Sequence, residues 1–310
     1  MIMPQQRTQL FDLTRKLLIT LTGNGSDRGA WVNNLHHKLS YRLHKQLPKF
    51  GITGEVKIEI PGLPGHTLRM IAEDGGVAHQ FLVYGSYETY ESHLVDKFVK
   101  RGMTVYNVGG NIGYYAVRAG IAAGGEGRVY AFEPSTENFR LLQQNIEDNN
   151  LKHVRAINTA VADHTGMLRL YLSNTNSGDH QVFPAVEERA FIEIPSVSLD
   201  EFVKEEPAPD VIIMDVQGAE YSVLKGFGSY LSAPNRKPLI LFMEFSPAHL
   251  RRAGHSPEEL LNLIHQANLN VHVIDERRRT TLPISDEELI RITVGTEEKN
   301  LLCAERGVSV

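Results

Sequence analysis

The 310-residue chain has a single cysteine, Cys303. That excludes an intrachain disulfide and any zinc or iron–sulfur centre built from cysteines. The 13 histidines show no metal-ligand spacing, so no metal is expected. No apolar run approaches the roughly 18–20 residues that span a bilayer. The stretch around Leu17–Ile19 is too short for the core of a secretory signal. A cytoplasmic protein without a membrane partner is therefore expected. Positive charge is not in excess either: 32 Lys and Arg against 37 Asp and Glu leave −5 at pH 7. A protein whose task is to neutralise nucleic-acid phosphates needs the opposite balance. What is present, 42% hydrophobic and 22% charged residues, is an ordinary globular composition. The length suffices for one large α/β domain or two modest ones.

Residues 1–95 read as a helical and β prelude, and 96–310 as the main domain. In the prelude, Leu10, Leu13, Leu17 and Leu21 recur at helical spacing, as do Trp31, Leu35, Leu39 and Leu43. His36-His37-Lys38 with Arg42, His44 and Lys45 reads as the solvated face of the second helix. The runs Glu55–Ile60 and Ala78–Val83 read as extended.

Beyond Gly102, apolar strands alternate with helical segments. Strands are expected at Thr104–Val108, Arg128–Phe132, Val154–Asn158, Val211–Met214, Leu239–Met243, Val271–Ile274 and Leu301–Cys303, with a β excursion at Met167–Leu172. Helices are expected over Ile112–Ala123, Asn138–Asn149 and Ala219–Leu224, and one opens at Ser256-Pro257-Glu258-Glu259 with a capping box. Such alternation means βαβ units, hence an α/β, Rossmann-like, doubly wound, mostly parallel sheet. That sheet holds its ligand at the carboxyl ends of its strands, so residues just after strands are the ones to inspect.

After the first strand comes Asn107-Val108-Gly109-Gly110-Asn111-Ile112-Gly113. Glycines let backbone approach a ligand, and the helix behind them turns its positive N-terminus toward an anionic group. Glu133 ends the second strand 20 residues after Gly113, with Pro134 and Ser135 next in the chain. A carboxylate there suits ribose hydroxyls. The glycines do not match G-x-G-x-x-G, and the turn leaves little room for a pyrophosphate. A nucleoside-bearing cofactor other than a dinucleotide is indicated.

These segments resemble the FkbM-like S-adenosylmethionine-dependent methyltransferases, whose fold is of the class I methyltransferase type. The family's V-x-D-V-G-A-N-x-G-Y-Y stands here as Val105–Tyr115, and its second motif as Tyr130–Ser135 with Asn138. Ala160–Asp163, Val197–Asp200, Asp210 through Asp215-Val216-Gln217-Gly218-Ala219-Glu220, and Asn300–Cys303 match later segments in order. The likeness spans about residues 80–305.

The resemblance implies S-adenosyl-L-methionine as cofactor. Its methionine part would lie on Asn107, Gly109, Gly110, Asn111 and Gly113, and its ribose on Glu133. Pro134, Ser135 and Asn138 belong to the same motif. Asn158, Thr159, Ala160 and Asp163 would border the adenine, and Asp215 and Gln217 would face the methyl group. Tyr84 and Glu88 resemble a segment that closes over the site. Three positions depart from the family pattern: Asn107 replaces an acid, Ile213 a frequent lysine and Gln217 a glutamate.

Methyl transfer to a hydroxyl needs an aligned acceptor and a group to take its proton. The strand-end candidates are Asp215 and Glu244, supported by Glu220 and His249. Glu220 reads equally as a charge at a helix start. Asp215 with Glu244 would suit a divalent cation, although no spacing demands one. Arg277-Arg278-Arg279 reads as an exposed turn. The expected reaction is O-methylation of a sugar or other polyhydroxylated small molecule, with homo-oligomerisation left open. The alternatives are a non-catalytic cofactor-binding protein of this fold and an NAD-dependent oxidoreductase.

Overall fold

The computed structural model describes residue 16 and residues 38–184, 188–295, 297–305 and 307–308. The leucine periodicity of residues 10–21 and the start of the Trp31–Leu43 pattern lie outside the described residues. Two compact units are present: one runs to Glu88 and includes Asn174–Gly178, the other holds Thr89–Ser173 and Asp179 onward. The expected boundary near residue 95 falls inside a helix of the second unit.

In the first unit, residues 38–44 are helical and lead into a 3-10 turn, Leu47–Phe50, that ends on Gly51 at φ 78°. Strands β1 (Glu55–Glu59) and β2 (Thr67–Ile71) form an antiparallel pair. Ala78–Val83 is not extended, contrary to its sequence pattern. Val77–His79 is an α turn that continues as a π-helix, Gln80–Tyr84. A short apolar run fits either period, and here Val77, Ala78 and Phe81 are buried together on one helical face. Gly85, at φ 78°, stops the helix by donating its N–H to the Gln80 and Phe81 carbonyls. Asn174–Gly178 joins this unit through Asp74, whose carboxylate accepts from the Ser177 amide at 2.7 Å and hydroxyl at 3.1 Å.

The second unit contains, in order, α1 (Thr89–Phe98), β3 (Thr104–Val108), α2 (Tyr114–Ala123), β4 (Arg128–Phe132), α3 (Thr136–Asp148), β5 (Val154–Ile157), β6 (Ala160–Val161), β7 (Gly166–Tyr171), β8 (Phe191–Val197) and α4 (Leu199–Glu205). Then come β9 (Val211–Met214), α5 (Glu220–Lys225), β10 (Ile240–Phe245), α6 (Pro247–Arg252), α7 (Pro257–Gln266), β11 (Leu269–Asp275), β12 (Thr280–Pro283), α8 (Asp286–Ile292) and β13 (Lys299–Glu305). Eight strands form one sheet in the order β12-β11-β13-β10-β9-β3-β4-β5. Only β12 and β13 run against the others. The expected β excursion is real: β6, β7 and β8 make a separate three-stranded sheet.

The central strands are the continuous apolar runs of the sequence, and β3 and β9 are buried throughout. Neither face of these two central strands is left to solvent. Tyr106, Tyr130 and Phe132 meet Phe202 of α4 edge-to-face, with ring centroids 4.9–5.4 Å apart. Each such ring, fully buried, contributes about 1.5–3 kcal/mol, so these strands are fixed firmly. The α7 capping box is formed: Ser256 Oγ accepts from the Glu259 amide at 3.1 Å, and Glu259 accepts from the Ser256 amide at 2.7 Å. Among the described residues no helix is long and apolar enough to cross a membrane.

Candidate active site

Strand register sets the site. Val108, Phe132, Met214 and Met243 are cross-strand partners on β3, β4, β9 and β10. The next residues along each strand, Gly109, Glu133, Asp215 and Glu244, therefore stand in a row along one edge of the sheet. Ile157 of β5 pairs with Phe132, which adds Asn158 to the row. At the other end, antiparallel β13 brings its beginning to the same edge, because Phe245 pairs with Lys299. Strand order reverses between β3 and β9, and a ligand crevice opens at such a switch.

Asp215 donates its amide to Val108 O at 3.0 Å, tying the two strand ends together. Gly109 has φ +81°, and a Cβ on it would stand 1.9 Å from the Asp215 carbonyl oxygen. Gly113, at φ +95°, would meet Leu142 at 2.7 Å. The left-handed backbone favours glycine at both positions, and at Gly109 packing against backbone forbids a side chain as well, where the sequence pattern suggests ligand approach as the reason. Gly110 is different: its Cβ would have 3.3 Å to Leu142 and ordinary contacts otherwise.

Glu133 is 5% exposed. Its carboxylate accepts from the Asn111 amide at 2.7 Å, from the Ser135 amide at 2.9 Å and from the Asn138 side chain. Burial pushes its pKa up to about 7 against these hydrogen bonds. A carboxylate has about four acceptor positions, so one is left for a ligand hydroxyl. Asn158 donates Nδ2 to the carbonyls of Glu133 at 2.8 Å and Pro134 at 3.1 Å.

Asn107 donates Nδ2 to the Ile213 carbonyl of β9 at 3.4 Å. An ionised acid there could not make this bond. Its Oδ1 and Asn111 Oδ1 are buried acceptors without a partner among the described residues. Orphaned acceptors are costly, and a cationic amine or hydroxyl donor is the chemistry that relieves them. This set of acceptors therefore fits an amino acid joined to a nucleoside.

On the other side of the switch, Gln217 adopts φ +53° and donates Nε2 to Asp215 Oδ1 at 2.7 Å and to Glu244 Oε2 at 3.1 Å. Asp215 reaches solvent within a dense protein wall. Burial, and secondarily the charge of Glu298, hold its carboxyl above the usual range. Glu244 is raised well above it, by burial first and then by Asp215 and Glu298. His249 is held below the ordinary imidazole value, again by burial first. Glu298 escapes sequence reasoning because it lies in a run of charges, Glu297-Glu298-Lys299, that looks solvated. Its place two residues before the Asn300–Cys303 motif is the available signal.

Other candidates have side chains engaged by the protein itself. Glu220 is 1% exposed and spends Oε1 on the Gly218 amide at 3.0 Å, holding the turn before α5. Asp163 pairs with Lys225 at 3.0 Å and His164 at 2.8 Å, against α5. Ala160 is buried in β6. Tyr84 and Glu88 lie in the first unit, where the Tyr84 hydroxyl pairs with Ser40 at 2.7 Å and Glu88 takes φ +39°.

Burial raises Glu220 to about 7 from 4.5. The folded state thus holds this proton more tightly than the unfolded chain, and stability is lost as pH rises from about 4.5 to about 7. Glu220→Gln keeps an acceptor for Gly218 and removes that loss, up to about 3 kcal/mol. Thermal unfolding at pH 8 should show a midpoint higher by about 5 °C or more, with little change at pH 4.5. An equal shift at both pH values would contradict this account.

Residues 107–270, more than half of the chain, match the Methyltransferase FkbM domain family. The hexuronic acid methyltransferase AglP of Haloferax volcanii is 27% identical over 225 residues, covering 66% of this chain and 83% of that protein. An O-methyltransferase from Bacillus cereus in complex with SAH is 13% identical, with TM-score 0.41 over 70% of this chain and 80% of that one. A TehB-like SAM-dependent methyltransferase from Corynebacterium glutamicum is 11% identical, with TM-score 0.41 over 73% of this chain and 93% of that one. The chain accordingly belongs to the FkbM methyltransferase family and is an S-adenosylmethionine-dependent methyltransferase.

Proposed function

We propose that this enzyme methylates a hydroxyl of a sugar or other polyhydroxylated small molecule, with Asp215 taking the hydroxyl proton. The observation that carries the reading is the row of strand-end groups in which Asp215, open to solvent, separates the Asn107–Glu133 side from Glu244 and His249. The named activity of AglP supports a sugar, and within that class a uronic acid, as acceptor. S-adenosylmethionine supplies an electrophilic sulfonium methyl when bound. Asn107 Oδ1 would accept from its ammonium, the Asn111–Gly113 turn would face its carboxylate, and the remaining acceptor position of Glu133 would take a ribose hydroxyl. Gln217 fixes Asp215 Oδ1, which leaves Oδ2 to receive the proton. Glu244 and His249 line the acceptor side.

Calorimetry with S-adenosylhomocysteine and transfer of labelled methyl to a panel of neutral sugars and uronic acids test this together. One-to-one binding is expected, weakened about 10–100-fold in Glu133→Gln, since a hydrogen bond to a charged group contributes about 1.5–3 kcal/mol. Label should enter base-stable, ether-linked product. Tight binding with no transfer to any sugar would overturn the acceptor class.

A further inference from the structure

We infer that Glu244, His249 and Glu298 form a binding site for a divalent cation of the Mn²⁺ or Mg²⁺ class on the acceptor side of the crevice. One ligand atom from each lies within 4.8 Å of the other two. His249 Nε2 and Glu298 Oε1 are 3.8 Å apart. That is too long for a hydrogen bond, whereas two ligands about 2.2 Å from one ion stand roughly 3–4 Å apart. The side chains are also held from behind. Gln217 Nε2 donates to Glu244 Oε2, and the Ser246 hydroxyl donates to Glu298 Oε1 at 3.4 Å. Such outer partners orient metal ligands.

A second observation comes from His249, whose Nδ1 is fully buried and has no hydrogen-bond partner among the described residues. Glu220 Oε2 is unpartnered too, and the charge of Glu220 acts on Glu244. Asp215, Glu220, Glu244 and Glu298 thus gather four carboxyls, and among the described residues no Lys or Arg side chain hydrogen-bonds to any of them. Arg252 and Arg189 act on His249 only as more distant charges. Other acids of this unit behave differently: Asp163 pairs with Lys225, Glu206 with Arg155 and Asp210 with Lys237. A cluster of carboxyls lacking organic cations is suited to an inorganic one. Two carboxylates with one imidazole favour Mn²⁺ over Ca²⁺.

The ligands come from β10, α6 and the segment before β13, which is why no sequence spacing announces them. An ion here would engage adjacent oxygens of the acceptor and offset repulsion between these carboxylates and an anionic sugar; this role, though not the site itself, rests on the acceptor class proposed above.

The test is titration of the full chain with MnCl₂, read by loss of the free-ion paramagnetic resonance signal and by calorimetry. One ion per chain is expected. Glu298→Gln and His249→Asn should each weaken binding about tenfold or more, with S-adenosylhomocysteine affinity unchanged and cooperative thermal unfolding retained. The Glu298 side chain is 39% exposed, so its replacement does not disturb the core. Less than one ion per wild-type chain, or wild-type affinity in both variants, would overturn the site. Ion binding is measured without methyl transfer, so a failed acceptor panel and a missing ion are separate outcomes.

Discussion

Asp215→Asn is expected to lower methyl transfer about 10²–10⁴-fold, the range for removing a general base, while leaving S-adenosylhomocysteine affinity within about twofold of wild type. The substitution is nearly isosteric. Its backbone amide keeps the bond to Val108 O, and its side-chain oxygen can still accept from Gln217 Nε2. What it lacks is a carboxylate oxygen able to hold a proton. The pH profile adds a discriminating readout. A proton acceptor works only when ionised, so wild-type activity should fall as pH drops through the raised pKa of Asp215. The variant should retain a low rate without that acid limb. Activity above a tenth of wild type with the limb intact would move the proton acceptor to another group, with Glu244 the next in the row.

Much of this arrangement is legible in the sequence because strand ends are marked by composition. Thr104–Val108 and Val211–Met214 are apolar-rich runs, and the residues just beyond each must lie at the sheet's carboxyl edge. The Ser256 capping box is equally direct, since it depends on four adjacent residues. Ala78–Val83 misleads because six apolar-rich residues carry too little periodicity to separate strand from helix, and burial of Val77 and Phe81 on one face decides for helix. Glu298 is hidden for another reason. Its approach to Glu244 is created by antiparallel pairing of β13 with β10, where Phe245 meets Lys299, a tertiary fact with no local trace. Asp163 belongs to the site by its motif, yet Lys225 and His164 draw its carboxylate to α5. Ion pairing on a helix face is invisible until the helix is placed.

Gly109→Ala should lower the thermal midpoint by about 4–20 °C, while Gly110→Ala should not. At Gly109, φ +81° already penalises any Cβ by about 1–2 kcal/mol. The new atom would also lie 1.9 Å from the Asp215 carbonyl oxygen and 2.9 Å from its carbon. Neither partner is a flexible side-chain end, so β9 must withdraw from β3, breaking the Asp215-to-Val108 bond at the centre of the sheet. With overpacking at about 1–3 kcal/mol, the total reaches about 2–5 kcal/mol, a large share of the roughly 5–15 kcal/mol typical of a domain. Gly110 has no positive φ, and its Cβ would press only on the methyl end of the Leu142 side chain at 3.3 Å, which has to give by only a few tenths of an ångström. Gly110→Ala should therefore melt within about 3 °C of wild type and reveal, by its S-adenosylhomocysteine affinity, whether the loop needs a bare backbone for the cofactor. A wild-type midpoint in Gly109→Ala would mean that the two strand ends do not meet as closely as the register of β3 and β9 requires.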